Sequence, residues 1–233
     1  MTPTRTCSMA ALLAALHSAG HAGRPLAVED AGVSPLGQCQ VEVWLERNRA
    51  GNDANAAVLA PACGVAEGLE LGLEFGMPAH TRHAHQSRGL AVKWAPEAAQ
   101  WAGWQLGAKA SWGQSKSAES DRWQDGTFTV LGMASRSLAA NWTVHANLGV
   151  DAGGDPSDTT AQAGLALVWT PHEKCLGFLE MTASENVPAT RGVGMRYWLI
   201  ADQLGLDVTV SKTNAVRQST TVTVGLGWYG LSF

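Results

Sequence analysis

Twelve stretches, each roughly ten residues long and alternating apolar with polar or small side chains, run from residue 38 to the C-terminal Phe233. Three alternate without interruption: Trp104, Leu106, Ala108, Ala110 and Trp112; Trp142, Val144, Ala146, Leu148 and Val150; and Leu204, Leu206, Val208 and Val210. A period of two belongs to a β-strand with one oily face. Strands of soluble proteins are mostly about five or six residues long, whereas about nine to eleven are needed to cross a bilayer obliquely. A strand at membrane depth leaves no backbone group unpaired only if its sheet closes on itself. The pattern therefore predicts an all-β fold: an antiparallel up-and-down transmembrane β-barrel of about 12 strands.

The expected strands are 38–47, 56–63, 68–77, 88–95, 103–114, 126–136, 141–151, 159–170, 175–184, 190–199, 203–212 and 219–233. With both termini on the periplasmic side, tight turns at Gly64-Val65-Ala66-Glu67, Pro171-His172-Glu173-Lys174 and Ile200-Ala201-Asp202 alternate with longer polar connections. Pro96 to Ala102 is a longish connection on the short side. Trp94, Trp104, Trp142 and Trp169 fall at periplasmic strand ends and Trp112 at the opposite one, where barrels carry aromatic girdles. Two strands resist the pattern. In the last, placing Phe233, Leu231 and Tyr229 on lipid leaves Trp228, Leu226, Val224 and Val222 inward unless a β-bulge near Gly227 shifts the phase. The strand from Phe128 to Arg136 is similarly ambiguous.

Arg5, the apolar Met9 to Leu16 and the small-x-small Gly20-His21-Ala22 read as a signal peptide over 1–22, with a mature start at Gly23. The chain is expected to be exported. No later run of about eighteen apolar residues reads as a transmembrane helix. Without Arg5 the chain carries 15 basic against 20 acidic side chains, a net −5, so nothing resembles a basic nucleic-acid footprint. Residues 23–37, polar and punctuated by proline, read as a periplasmic segment or a plug, and 38–233 as the barrel. Cys39 and Cys63 lie symmetrically about Gly51, so a hairpin there sets them opposite each other, ready for a disulfide in an oxidising periplasm. Cys175 would remain free.

The segments Leu26-Ala27-Val28-Glu29-Asp30-Ala31-Gly32, Gly37-Gln38-Cys39-Gln40-Val41-Glu42 and Cys63-Gly64-Val65-Ala66-Glu67-Gly68-Leu69-Glu70-Leu71-Gly72 resemble the outer-membrane barrel family named for the meta-pathway of phenol degradation. The likeness covers the first third of the chain. It implies passage of hydrophobic or aromatic compounds, and the cysteine pair departs from the family pattern.

Taking the apolar side as lipid-facing puts Glu42, Glu46, Glu70, Glu74, Lys93, Lys109, His145, Glu180, Arg196 and Asp207 in the lumen. Glu70 and Lys93 are expected at one depth on neighbouring strands, as are Arg196 and Asp207. Such pairs read either as a constriction that selects solutes or as a salt-bridge network that fills the lumen. An enzyme would need a Ser or His nucleophile and base within hydrogen-bond reach, and Ser111 is two strands from His145. His80, His83 and His85 have a spacing that could hold a metal, but a polar loop without further ligands is more often solvated. No catalytic residue, metal or cofactor is expected. The expected partners are membrane lipid and lipopolysaccharide, the barrel assembly machinery through Phe233, and a small hydrophobic solute, with no nucleic acid. Together these predict passive or gated passage of small molecules across the outer membrane of a Gram-negative bacterium. The alternatives are a structural or surface-interaction barrel with a blocked lumen and a lipid-modifying enzyme.

Overall fold

The computed structural model describes residues 25–49, 55–79, 86–116, 122–124, 126–153, 159–185, 187–214 and 219–233. The expected signal peptide and the His80, His83 and His85 loop lie outside the described residues. The strands are β1 (Gln38–Asn48), β2 (Asn55–Ala66), β3 (Leu69–Pro78), β4 (Gln86–Trp94), β5 (Gln100–Trp101), β6 (Trp104–Lys116), β7 (Thr127–Ala139), β8 (Trp142–Ala152), β9 (Thr160–His172), β10 (Cys175–Ser184), β11 (Val187–Ile200), β12 (Leu204–Thr213) and β13 (Ser219–Ser232). Successive long strands pair antiparallel, β1 pairs with β13, and β4 pairs with β6. The result is a closed barrel of twelve strands. The two-residue β5 sits on the end of β6.

That short strand accounts for the long connection after β4. Trp101 pairs with Trp104 across Ala102 and Gly103, whose φ angles are 49° and 81°. Two central residues with positive φ make the tight hairpin turn whose twist suits antiparallel strands.

The sidedness is that of a membrane barrel. Leu45, Leu148 and Leu179 are 60%, 71% and 60% exposed on the outer wall, while Glu42, Glu70, Lys93, Glu180, Arg196 and Asp207 are buried inside it. A water-soluble domain hides its large apolar side chains and rarely buries charges, so this outer wall suits lipid. Trp94, Trp101, Trp142, Trp169 and Trp228 are exposed at the end that carries the tight turns, and the rings of Trp142 and Trp169 stack at 5.9 Å.

In β13 the phase change expected near Gly227 occurs three residues later. Cys39 pairs with Leu231 but Val41 with Trp228, so Tyr229 and Gly230 together face Gln40. Gly230 has a φ of 71°, a left-handed conformation that glycine adopts without a Cβ clash. Trp228, Leu226 and Val224 therefore face outward, and Tyr229 turns in with 2% exposure. The ambiguity of β7 has a different cause. Phe128 and Val130 point out, while Leu131 and Met133 point in and pack on Ala31. The inner face of this strand is apolar because a second layer of chain lies against it.

Cys39 stands opposite Cys63 and is bonded to it, leaving Cys175 as a free thiol.

Candidate functional site

Residues 25–36 run inside the barrel. Backbone groups of the wall strands are already spent on their neighbours, so an extended segment in the lumen must find other partners for its own N–H and C=O groups. Wall side chains supply them. The N–H groups of Ala27 and Val28 donate to Glu180 Oε2 at 2.7 and 3.1 Å. Glu29 N donates to Asn147 Oδ1 at 2.8 Å, and Asn147 Nδ2 donates back to the Glu29 carbonyl at 2.8 Å. Ala31 N donates to Ser135 Oγ and Ser34 N to Glu70 Oε2, both at 2.8 Å, and Thr209 Oγ1 donates to the Pro25 carbonyl at 3.3 Å. The inward Glu180, Asn147, Ser135 and Glu70 thus do for the plug what a neighbouring strand would do for an edge. At the base, a Cβ on Gly64 would stand 2.2 Å from the Ser34 carbonyl oxygen, so only glycine lets the plug enter beside β2.

The plug is also held by charge. Lys93 on β4 stands directly opposite Lys109 on β6, a like-charge pair that by itself destabilises a sheet. Glu29 bridges them, pairing with Lys109 Nζ and, at 3.2 Å, with Lys93 Nζ, while Asp30 takes Lys93 at 2.9 Å. Burial alone would push the Glu29 carboxyl up, but the two lysines overcome it and hold it down at about 2.

Glu70 does face Lys93 across β3 and β4, yet Lys93 pairs with the plug's carboxylates and Glu70 receives Ser34 N. The plug changes the expected partnership because its groups reach between the two. Arg196 and Asp207 face each other on β11 and β12 and bind in a fork, Nε to Oδ1 at 2.6 Å and Nη2 to Oδ2 at 2.8 Å. Glu42 lies 3.7 Å from the same guanidinium and accepts the Tyr229 hydroxyl. Arg196 sits 4.9 Å from the ring centres of both Trp198 and Tyr229.

Glu74 lines, with Trp44, Lys93 and Lys109, a cavity of about 620 Å³ beside the plug. On the other side Glu46 and Glu180 line a smaller space of about 120 Å³ among threonines of β10 to β13. His145 meets a serine after all, Ser135 rather than Ser111. The two face each other across β7 and β8, with Oγ 2.7 Å from Nδ1. Ser135 Oγ also accepts Ala31 N–H, and the pair faces the plug rather than the lipid. That geometry positions the plug. Ser135, Asn147, Tyr229, Glu29 and Asp30 were not among the expected lumen residues. The signals present were the acidic pair in residues 23–37 and the two apolar residues on the inner face of β7.

A closed barrel with a polar lumen, an apolar belt and an internal plug is a porin-like fold of the outer-membrane type. The structure is similar to the KdgM porin (TM-score 0.64, 12% identity, 81% of this chain and 98% of that one). It is also similar to an outer membrane channel from Pseudomonas putida F1 (0.60, 12%, 86% and 98%). A third likeness is to the outer membrane phospholipase dimer of Salmonella typhi with bound calcium (0.53, 14%, 89% and 94%). At these identities the likeness is one of fold. No curated protein matches the chain in sequence. The chain belongs to the family described as Uncharacterised conserved protein UCP029691, whose model matches residues 10–227.

Proposed function

We propose that this protein is an outer-membrane channel of a Gram-negative bacterium, through which small molecules pass when residues 25–36 leave the lumen. The observation that carries the reading is how the plug is held. It is tied to the wall by side-chain hydrogen bonds and a charge cluster, contacts that water replaces when the segment moves. The cargo class follows the resemblance carried by residues 26–32, 37–42 and 63–72: small hydrophobic or aromatic molecules, with Trp44 as the aromatic surface on the cavity wall. The description of the matched family names no cargo, so that cargo rests on the resemblance alone. The KdgM porin is known in complex with disordered oligogalacturonate. Here the two lysines of the cavity are engaged by Glu29 only while the plug is in place, so an acidic solute is the comparison that a flux assay must include. The second reading is a sealed barrel, favoured by the hydrogen bonds and ion pairs that tie the plug to several strands of the wall.

A reversible clamp separates them. A Cβ built on Gly164 comes 3.1 Å from Val28 Cγ2, so Val28→Cys with Gly164→Cys, in a Cys175→Ser background, places two thiols within bonding reach. Flux of uncharged aromatics, of small sugars and of an acidic solute into liposomes is compared for the Cys175→Ser parent and the clamped protein, each with and without reductant. Aromatic flux that the clamp stops and reductant restores is the expected result. Absence of flux for every solute from folded parent protein means a sealed barrel, and flux unaffected by the clamp means that residues 25–36 are not the gate.

A further inference from the structure

The outer wall carries a row of cations at the end opposite the tryptophan girdle. Arg191 on β11 stands directly opposite Lys212 on β12, and Lys212 opposite Thr220 on β13. Arg49, just past β1, joins the row by donating its N–H to the Thr220 carbonyl at 2.9 Å. Arg47 lies one residue pair lower, level with Val222. All four cations are exposed and on the outward phase of their strands. Among the described residues none of them has an ion pair. Glu185, at the same rim, accepts the Ala161 N–H at 3.0 Å, on the β9 side. Like charges directly opposite each other destabilise a sheet, and the whole chain has a net charge of −4, so a general excess of base does not account for the row.

Its depth points to a partner. Thr220 is eight residues from Trp228 along β13. At about 3.4 Å per residue and a tilt near 40°, that lifts the row about 20 Å above the tryptophan level. The apolar belt of such a barrel is about 25 Å tall, and long cationic side chains extend toward the headgroups. Arg191 and Arg49 are three strand spacings apart, about 14 Å, and beneath them lies an apolar strip of Val193, Val210, Val224 and Leu45.

We propose that Arg191, Lys212, Arg49 and Arg47 bind the phosphate groups of a glycolipid in the outer leaflet, whose acyl chains lie along that strip. Anionic headgroups neutralise a like-charged row that the sheet by itself leaves uncompensated. The location is taken from the reading above, but the test is one of binding rather than flux, so the two stand or fall separately.

The full chain, refolded in a phosphocholine detergent, is titrated with bisphosphorylated lipid A and with its dephosphorylated form, and bound lipid is counted by native mass spectrometry. Circular dichroism and the oxidised Cys39–Cys63 pair check that each variant is folded. A cation near an anionic surface contributes roughly fivefold in affinity, so R191Q/K212Q is expected to weaken lipid A binding roughly 25-fold. The charge-preserving R191K/K212R is expected to retain it, and R88Q/K116Q, elsewhere on the same rim, to leave it unchanged. The proposal is overturned if the dephosphorylated lipid binds equally well, if R88Q/K116Q weakens binding as much as R191Q/K212Q, or if inorganic phosphate binds as tightly as the lipid.

Discussion

Replacing Glu29 by Gln keeps the shape of the plug and removes the charge that bridges Lys93 and Lys109. Losing one partner of a buried ion pair typically costs about 3 to 5 kcal/mol. Here Lys93 is 4% exposed, but Glu29 and Lys109 are 25% and 26% exposed, and Asp30 still serves Lys93. Solvent screening and that remaining partner bring the expected loss to about 2 to 3 kcal/mol. Only the closed state makes these contacts, so the whole difference acts on the equilibrium between closed and open. At about 1.4 kcal/mol per tenfold, the ratio of open to closed channels should rise roughly 30- to 150-fold. Single-channel recording in planar bilayers reads that ratio directly, with circular dichroism to establish that the barrel is intact. The double variant E29Q/K109Q should fall back toward wild type, because Lys109 is then no longer left charged and without Glu29 beneath the closed plug, and the cycle measures the coupling. An open fraction for E29Q within threefold of wild type, or a double variant that opens more than E29Q, would refute the argument.

Other outcomes follow from the same contacts. Ala31→Asp places a charge against Leu131 and Met133 and should open the channel even with the Glu29 bridge intact, as read by the same recordings. The Glu29 pKa is lowered, so its contribution to closure is complete above its ordinary value near 4.5 and is lost as pH falls toward about 2. The bridge should therefore hold unchanged between pH 7 and pH 5, and a tenfold rise in opening at pH 5 that persists in both His145→Gln and Glu70→Gln would show that the bridge is not the latch. Gly230→Val forces a branched side chain into a left-handed backbone conformation, and urea unfolding in lipid should show a loss of roughly 1 to 2 kcal/mol. A serine-directed fluorophosphonate should leave the chain unlabelled. Stoichiometric labelling that disappears in Ser135→Ala would turn the Ser135 and His145 contact into a hydrolase site.

The alternation of Trp104 to Trp112 and of Leu204 to Val210 was legible because each outward position meets lipid whatever its neighbours are, and period two is a local property of the strand. Cys39 and Cys63 could be paired for a similar reason, since the turn between them sets the register of the first hairpin. Where alternation failed, a nonlocal partner had intervened. Leu131 and Met133 look misplaced in a barrel strand until Ala31, about a hundred residues earlier in the chain, is seen to pack on them. Tyr229 looks outward until the pairing of β13 with β1, which joins the two ends of the barrel, places the bulge at Gly230.

By itself the sequence determined that long strands must close into a barrel with an apolar outer wall, because in a bilayer every backbone group must be paired and the side-chain period states which face is oily. Only the tertiary structure decided what the lumen does. Whether residues 25–36 hang free or fill it depends on hydrogen bonds and ion pairs to Glu70, Lys93, Lys109, Ser135, Asn147 and Glu180. These come from six strands around the wall, and the closed barrel brings them together around one extended segment.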